Sequence, residues 1–138
     1  MSYIALEVSA HVAMLTMSPP GGAYDRAFLD GLAAAASELA GRTDEVRAVV
    51  LAAAGADFGA GWSAAVLSEG VPAAPERPPG AAFDAVAAIP QPVVAAVRGR
   101  AHSAGLELAL ACDIRVAGAG ASFAMPETGL GRVPDDIR

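Results

Sequence analysis

Glu107 stands alone in the stretch HSAGLELALACD, residues 102–113, as the one formally charged group between Arg100 and Asp113. Read as a helix, the stretch surrounds it with Ser103, Ala104, Leu110 and Ala111 at three- and four-residue spacing. A capping box would need Ser or Thr three residues ahead of the glutamate, but position 104 is alanine and Ser103 is four away. A lone carboxylate behind a run of very small residues is suited to holding a water or moving a proton. A second candidate is Glu127 in FAMPETGLG, where a short apolar strand and Pro126 fix the local backbone. Taken alone, Glu127 also reads as an ordinary loop glutamate.

The chemistry these carboxylates would serve is suggested by a pattern that occurs twice. The strand AVVL leads to FGAGWSAAVL (58–67), and the strand VVAAV leads to RGRAHSAGLELALA (98–111). In each, a strand feeds a turn of Gly, Ala and Ser, and the turn opens a helix. Small residues let a ligand approach the backbone closely. The first amides of a helix have no intrahelical acceptor and carry partial positive charge. Two such turns facing each other would offer two N–H groups to one oxygen, which is an oxyanion hole. Either turn alone is better explained as a packing device between strand and helix.

The elements that must hold these groups follow from periodicity and punctuation. YIALEV and VAMLTM read as strands joined by the turn SAH, which puts His11 on the surface. SPPGGAYD is a turn-rich loop, and Asp25 is placed to cap a helix over residues 26–40 with Phe28, Leu32, Ala35, Ala36 and Leu39 as its apolar stripe. VRAVVL and QPVVAAVRG are short β-branched runs that predict buried strands. Residues 70–80, with four prolines, predict an exposed loop, and AAFDAVAAI a short helix before Pro90. SAGLELALAC reads as a helix, DIRVAG as a strand, and ASFAMPE as a short strand ending in a turn. Asp113 reads as structural and Cys112 as a small buried apolar residue. Strands alternating with helices give an α/β class, and the length of 138 residues fits a single domain over 1–138.

Composition narrows the function. The net charge of −6 comes from 15 acidic residues against 9 basic ones, all of them arginine, with no basic patch of the kind that binds nucleic acid. One cysteine and two histidines argue against an internal disulfide and a zinc site. Mean hydropathy is +0.45, but no apolar run approaches the ~18 residues that span a bilayer, and MSYIALEVSAH has no signal-peptide pattern. The expectation is a cytoplasmic protein, part of whose apolar surface is covered by a partner or by further chain. GAGAS at 118–122 lacks the helix and the downstream acid of a dinucleotide site.

With those residues in view, the chain resembles the enoyl-CoA hydratase/isomerase (crotonase) family from about Tyr3 to Pro134. AVVLAAAGADFGAGWSAAVL resembles the family's first oxyanion loop, and PVVAAVRGRAHSAGLELALACDIRVAGAGASFAMPETGLGRVP its longest signature. The resemblance implies a crotonase-like ββα spiral that binds an acyl-CoA thioester and hydrates a 2,3-enoyl-CoA. It implies that Trp62 and Ala104 supply the oxyanion amides, that Glu107 deprotonates the attacking water, and that Glu127 positions it and protonates Cα. Ala23, Ala60, Gly61, Ser63 and Gly105 fall where relatives contact substrate or coenzyme A. No separate cofactor or metal is implied, since coenzyme A enters with the substrate. The implied assembly is a trimer or a dimer of trimers.

The chain also departs from the family pattern. Trp62 is bulky where smaller residues are usual, Ser63 stands where Asp is frequent, Ala104 where Gly is frequent, and His102 is unusual in its turn, where packing explains it better than catalysis. Family members are longer, with C-terminal helices that cover the pocket and build the trimer, and these are expected to be missing here. Another acyl-CoA reaction of the same family, such as isomerisation, and a non-catalytic CoA-binding or assembly subunit therefore remain alternative readings.

Overall fold

The computed structural model describes residues 3–68 and 78–130. The chain opens with β1 (Ile4–Ser9) and β2 (Val12–Met17), an antiparallel pair in the register Ser9↔Val12. Their link is tight: Ala10 and His11 both have positive φ, as a two-residue hairpin of the favoured hand demands. His11 is exposed at that tip and its Nδ1 lies 2.9 Å from Glu45 O.

After β3 (Ala23–Tyr24), the helix α1 runs Arg26–Ala40, capped by Asp25, whose carboxylate accepts from Phe28 N at 2.8 Å. Phe28, Leu29, Leu32, Ala36 and Leu39 are buried on one face, while Ala35 is half-buried at its margin. The chain continues through β4 (Ala48–Ala53), β5 (Gly61–Trp62), α2 (Ala64–Ser68) and α3 (Ala81–Ala87). It then runs through β6 (Val93–Val97), β7 (Arg100–His102), α4 (Ala104–Ala111), β8 (Ile114–Ala117) and β9 (Ser122–Ala124), ending in a 3-10 turn at Pro126–Leu130. The expected loop at 70–80 lies largely outside the described residues.

The main sheet has the order β1-β2-β4-β6-β8 and is parallel from β2 onward. The two strands expected to be buried bury one face fully: Val49 and Leu51 on β4, and Val93, Ala95 and Val97 on β6, are closed, while the residues between them are half-buried. The core on that face joins α1, α3 and the sheet through Tyr24, Phe28, Phe83 and Leu108, all fully buried. At the far edge, β8 is exposed along its length, with Ile114 at 52% and Val116 at 59%, and Phe123 of β9 is also exposed. No helix among the described residues is long and apolar enough to cross a membrane.

Two minor pairs, β3-β5 and β7-β9, are parallel and too short to leave a period-two signature in the sequence. Gly59 bridges to Ala101, so the two small-residue turns are bound to each other by backbone.

Candidate active site

The first turn is held from both sides. Gly59 N donates to Arg100 O at 2.9 Å and His102 N donates to Gly59 O at 3.0 Å, which lays Gly59 against β7. The Tyr24 hydroxyl donates to Phe58 O at 3.0 Å from a fully buried position, and burial pushes its pKa well above the ordinary tyrosine value. Gly59 and Gly105 touch backbone to backbone, and a Cβ on Gly105 would sit 2.5 Å from Gly59 O. The close approach of the two turns therefore requires glycine at both places.

Charged groups at the rim lock the same turns. Asp57 accepts from Arg100 N at 2.8 Å and from the Arg100 guanidinium at 3.0 and 2.6 Å. These bonds hold the Asp57 carboxyl below its ordinary value of 3.8. A carboxyl with a lowered folded pKa adds stability above its unfolded pKa and loses it as pH falls through the folded value. Asp57→Asn is accordingly expected to melt slightly below wild type at pH 7, with the gap closing below about pH 4. Thermal melts at the two pH values check this, and a gap that persists in acid would contradict it.

Beyond Gly59 the chain carries Ala60, Gly61 and Trp62 past β3. Ala60 N donates to Gly22 O at 2.8 Å and Ser63 N to Tyr24 O at 2.9 Å. Ala23 pairs with Gly61 in this register. Ser63 caps α2, its hydroxyl accepting from Val66 N at 3.3 Å. The Trp62 ring is stacked on Phe83 of α3 at 5.6 Å between centroids and is 8% exposed. Its bulk is thus accommodated by the core.

The second turn opens α4. Ala104 is its first residue and is fully buried, so its N–H has no acceptor within the helix. The positive φ falls on Ser103, at 54°, rather than on Ala104. Glu107 is one turn in and buried at 3% exposure, its N–H donating to Ser103 O at 3.0 Å. A Cβ on Gly61 would lie 3.1 Å from Ser103 Cβ, so the two turns face each other at this point.

Glu127 arrives by strand register. His102 pairs with Ala124, Ser103 N donates to Ala124 O at 2.9 Å, and the turn beginning at Pro126 brings the carboxylate back over Ser103. Glu127 is buried at 7% exposure, and the Ser103 hydroxyl donates to its Oε1. His102 Nε2 lies 2.9 Å from Ser122 Oγ, an arrangement that ties β7 to β9. Cys112 is buried, and desolvation pushes its thiol up to about 12. Asp113 closes a structural bond by accepting from Val93 N at 2.7 Å.

A cavity of about 350 Å³ lies between the turns. Ala60, Gly61 and Trp62 line it from the first turn, Leu67 from α2, Ser103 from the second turn, and Pro126 and Glu127 from the segment after β9. Ala104, Gly105 and Glu107 are not among the lining residues and lie buried in the first turns of α4. The structure therefore gathers residues from four separate stretches around one cavity, with a helix N-terminus and a buried carboxylate at its edge. Sequence reasoning left Ser103 out, because its contact with Glu127 spans 24 positions and depends on the β7-β9 register. A second cavity of about 350 Å³ runs past Gly21, Gly22, Ala56 and Asp57.

Comparison with known proteins bears on this arrangement. The family model for enoyl-CoA hydratase/isomerase matches residues 7–137. A "Probable enoyl-CoA hydratase echA17" of Mycobacterium avium (strain 104) is 44% identical over 131 residues, covering 91% of this chain and 50% of the relative. A "Probable enoyl-CoA hydratase" of Bacillus subtilis (strain 168) is 33% identical over 141 residues, covering 97% of this chain and 54% of the relative. Among solved structures, an enoyl-CoA hydratase from Bacillus anthracis superposes with TM-score 0.84 at 29% identity, over 97% of this chain and 54% of that one. Pseudomonas aeruginosa DspI superposes with TM-score 0.83 at 32% identity, over 98% of this chain and 57% of that one. The chain spans about half the length of the curated relatives it matches. A match over nearly every residue, joined to a fold that superposes on enoyl-CoA hydratases, places the chain in the enoyl-CoA hydratase/isomerase family.

Proposed function

We propose that the chain carries the active site of an enoyl-CoA hydratase, which adds water across the 2,3 double bond of an enoyl thioester. The observation that carries this reading is that two buried carboxylates, Glu107 and Glu127, are both tied to the second turn: the Glu107 backbone N–H donates to the Ser103 carbonyl, and the Ser103 hydroxyl donates to the Glu127 side chain. In this reading the thioester oxygen lies between the N–H of Trp62 and that of Ala104, and negative charge develops on it as an enolate. Removing one such donor typically costs ~2.7–4 kcal/mol of barrier. Water attacks Cβ while Glu107 takes its proton, Glu127 delivers a proton to Cα, and the enolate collapses back to the thioester. Ala23, Ala60, Gly61, Ser63 and Gly105 are the small and polar residues that let the thioester and its pantetheine arm approach the backbone. The partner is thus an acyl-CoA thioester in a cytoplasmic setting, with no cofactor beyond coenzyme A itself. The working form in this reading is a homo-oligomer of trimeric type.

The test is loss of the conjugated enoyl absorbance of crotonyl-CoA in the presence of the folded chain. Turnover is the expected result, and a folded chain without turnover contradicts it. Conversion of a 3-enoyl-CoA without hydration would indicate the isomerase, and thioester binding without either reaction a binding subunit.

A further inference from the structure

Ser103 combines three properties, of which the hydration reading above uses only its bond to Glu127. Its backbone lies at φ 54°, ψ −125°, a conformation costly for any residue with a Cβ. The other described non-glycine residues with positive φ, Ala10 and His11, form a hairpin tip that demands it. No hairpin tip makes that demand at Ser103. Its hydroxyl stands at the start of α4 yet makes no cap bond to the helix, where serine is ordinarily used. It donates instead to Glu127 Oε1, both side chains being buried at 7% exposure.

The consequence concerns the other oxygen of the same carboxylate. Glu127 Oε2 is buried and has no hydrogen-bond partner among the described residues. Burying a carboxylate oxygen without a partner is costly, which leaves the bond at Oε1 as the one described contact that holds the Glu127 head group. Ser103 and Glu127 both line the cavity between the turns, and Gly61 closes on Ser103 from the opposite side. A carboxylate anchored through one oxygen has its second oxygen aimed in a fixed direction.

We propose that Ser103 is a positioning residue: its hydroxyl holds Glu127 by Oε1 and so fixes the carboxylate at the cavity between the turns. This rests on the hydratase reading. The strained backbone at 103 persists because it points the hydroxyl at the carboxylate rather than at the helix.

The experiment compares Ser103→Gly and Ser103→Ala with wild type in crotonyl-CoA hydration and in thermal melts. Glycine relieves the positive φ and alanine does not. The melting temperatures should therefore separate, Ser103→Gly above Ser103→Ala, since both lose the same bond and only alanine keeps the backbone strain. Both variants lack the hydroxyl, so both should lose kcat alike, by about tenfold or more, with KM within a factor of about two. In a Glu127→Gln background, neither should lower kcat further. Wild-type kcat in both variants, or kcat that follows the melting temperature, overturns the proposal. A folded wild-type chain that never hydrates crotonyl-CoA overturns the hydratase reading and the catalytic part of this one. The melting cycle of Ser103→Ala with Glu127→Gln then still decides the contact: non-additive shifts uphold the Ser103–Glu127 bond and additive shifts remove it.

Discussion

Glu107→Gln and Glu127→Gln are each expected to slow crotonyl-CoA hydration by about 10²–10⁴-fold, the range typical of a lost general acid or base. Glutamine keeps the length and the hydrogen-bonding head of the side chain but cannot exchange a proton. Both carboxylates are buried, Glu107 within α4 and Glu127 after β9, and glutamine matches glutamate in size, so the variants should remain folded. The loss should appear in kcat more than in KM, since neither carboxylate need hold the coenzyme A arm. The double variant should be little slower than the slower single one, because one proton must leave as another arrives and the two groups act as a unit. Steady-state kinetics on the three variants checks this. Full rate in either single variant removes that residue from the mechanism.

Gly105→Ala is expected to destabilise the protein by about 3 kcal/mol or more, at the upper end of overpacking costs. The added Cβ would lie 2.5 Å from Gly59 O and 2.8 Å from Gly59 Cα. Both contacts are to backbone, which cannot rotate aside as a flexible side chain can. Nor can Gly59 retreat, since it is hydrogen-bonded to Arg100 O and His102 N on one side and flanked by the buried Tyr24 hydroxyl on the other. At about 2–4 °C per kcal/mol, the melting temperature should fall by about 10 °C. A variant melting within a degree or two of wild type would show that the turns are not in contact. Because the same contact sets how closely the two turns face each other, surviving folded protein should also hydrate crotonyl-CoA more slowly.

Local chemistry accounts for what could be read along the chain. Asp25 ahead of an apolar stripe predicts α1 to the residue, because the cap and the 3.6-residue period lie within one short window. The hairpin at Ala10–His11 and the strands β4 and β6 were legible in the same way, with their ends displaced by one or two residues. Two small-residue turns before two helices, and a glutamate out of register for a capping box, were visible for the same reason.

What needed the folded chain is every relation between distant stretches. The strands β3, β5 and β7 are two or three residues long, and pairing rather than pattern defines them. Trp62 is bulky where the pattern favours a small residue, and only the stacking partner Phe83 shows where its ring goes. Gly105 reads as a residue kept small for a ligand, and the structure shows a further demand on it, its contact with Gly59, 46 positions away. Ser103 looked like a helix-cap residue one place out of register, and the β7-β9 register turns it into the donor that holds Glu127. Residue types and spacing thus determine which helices and strands form and which groups are able to do chemistry. Which of those groups meet is set by strand register and close backbone contact, whose energies depend on residues far apart in sequence and leave no local trace.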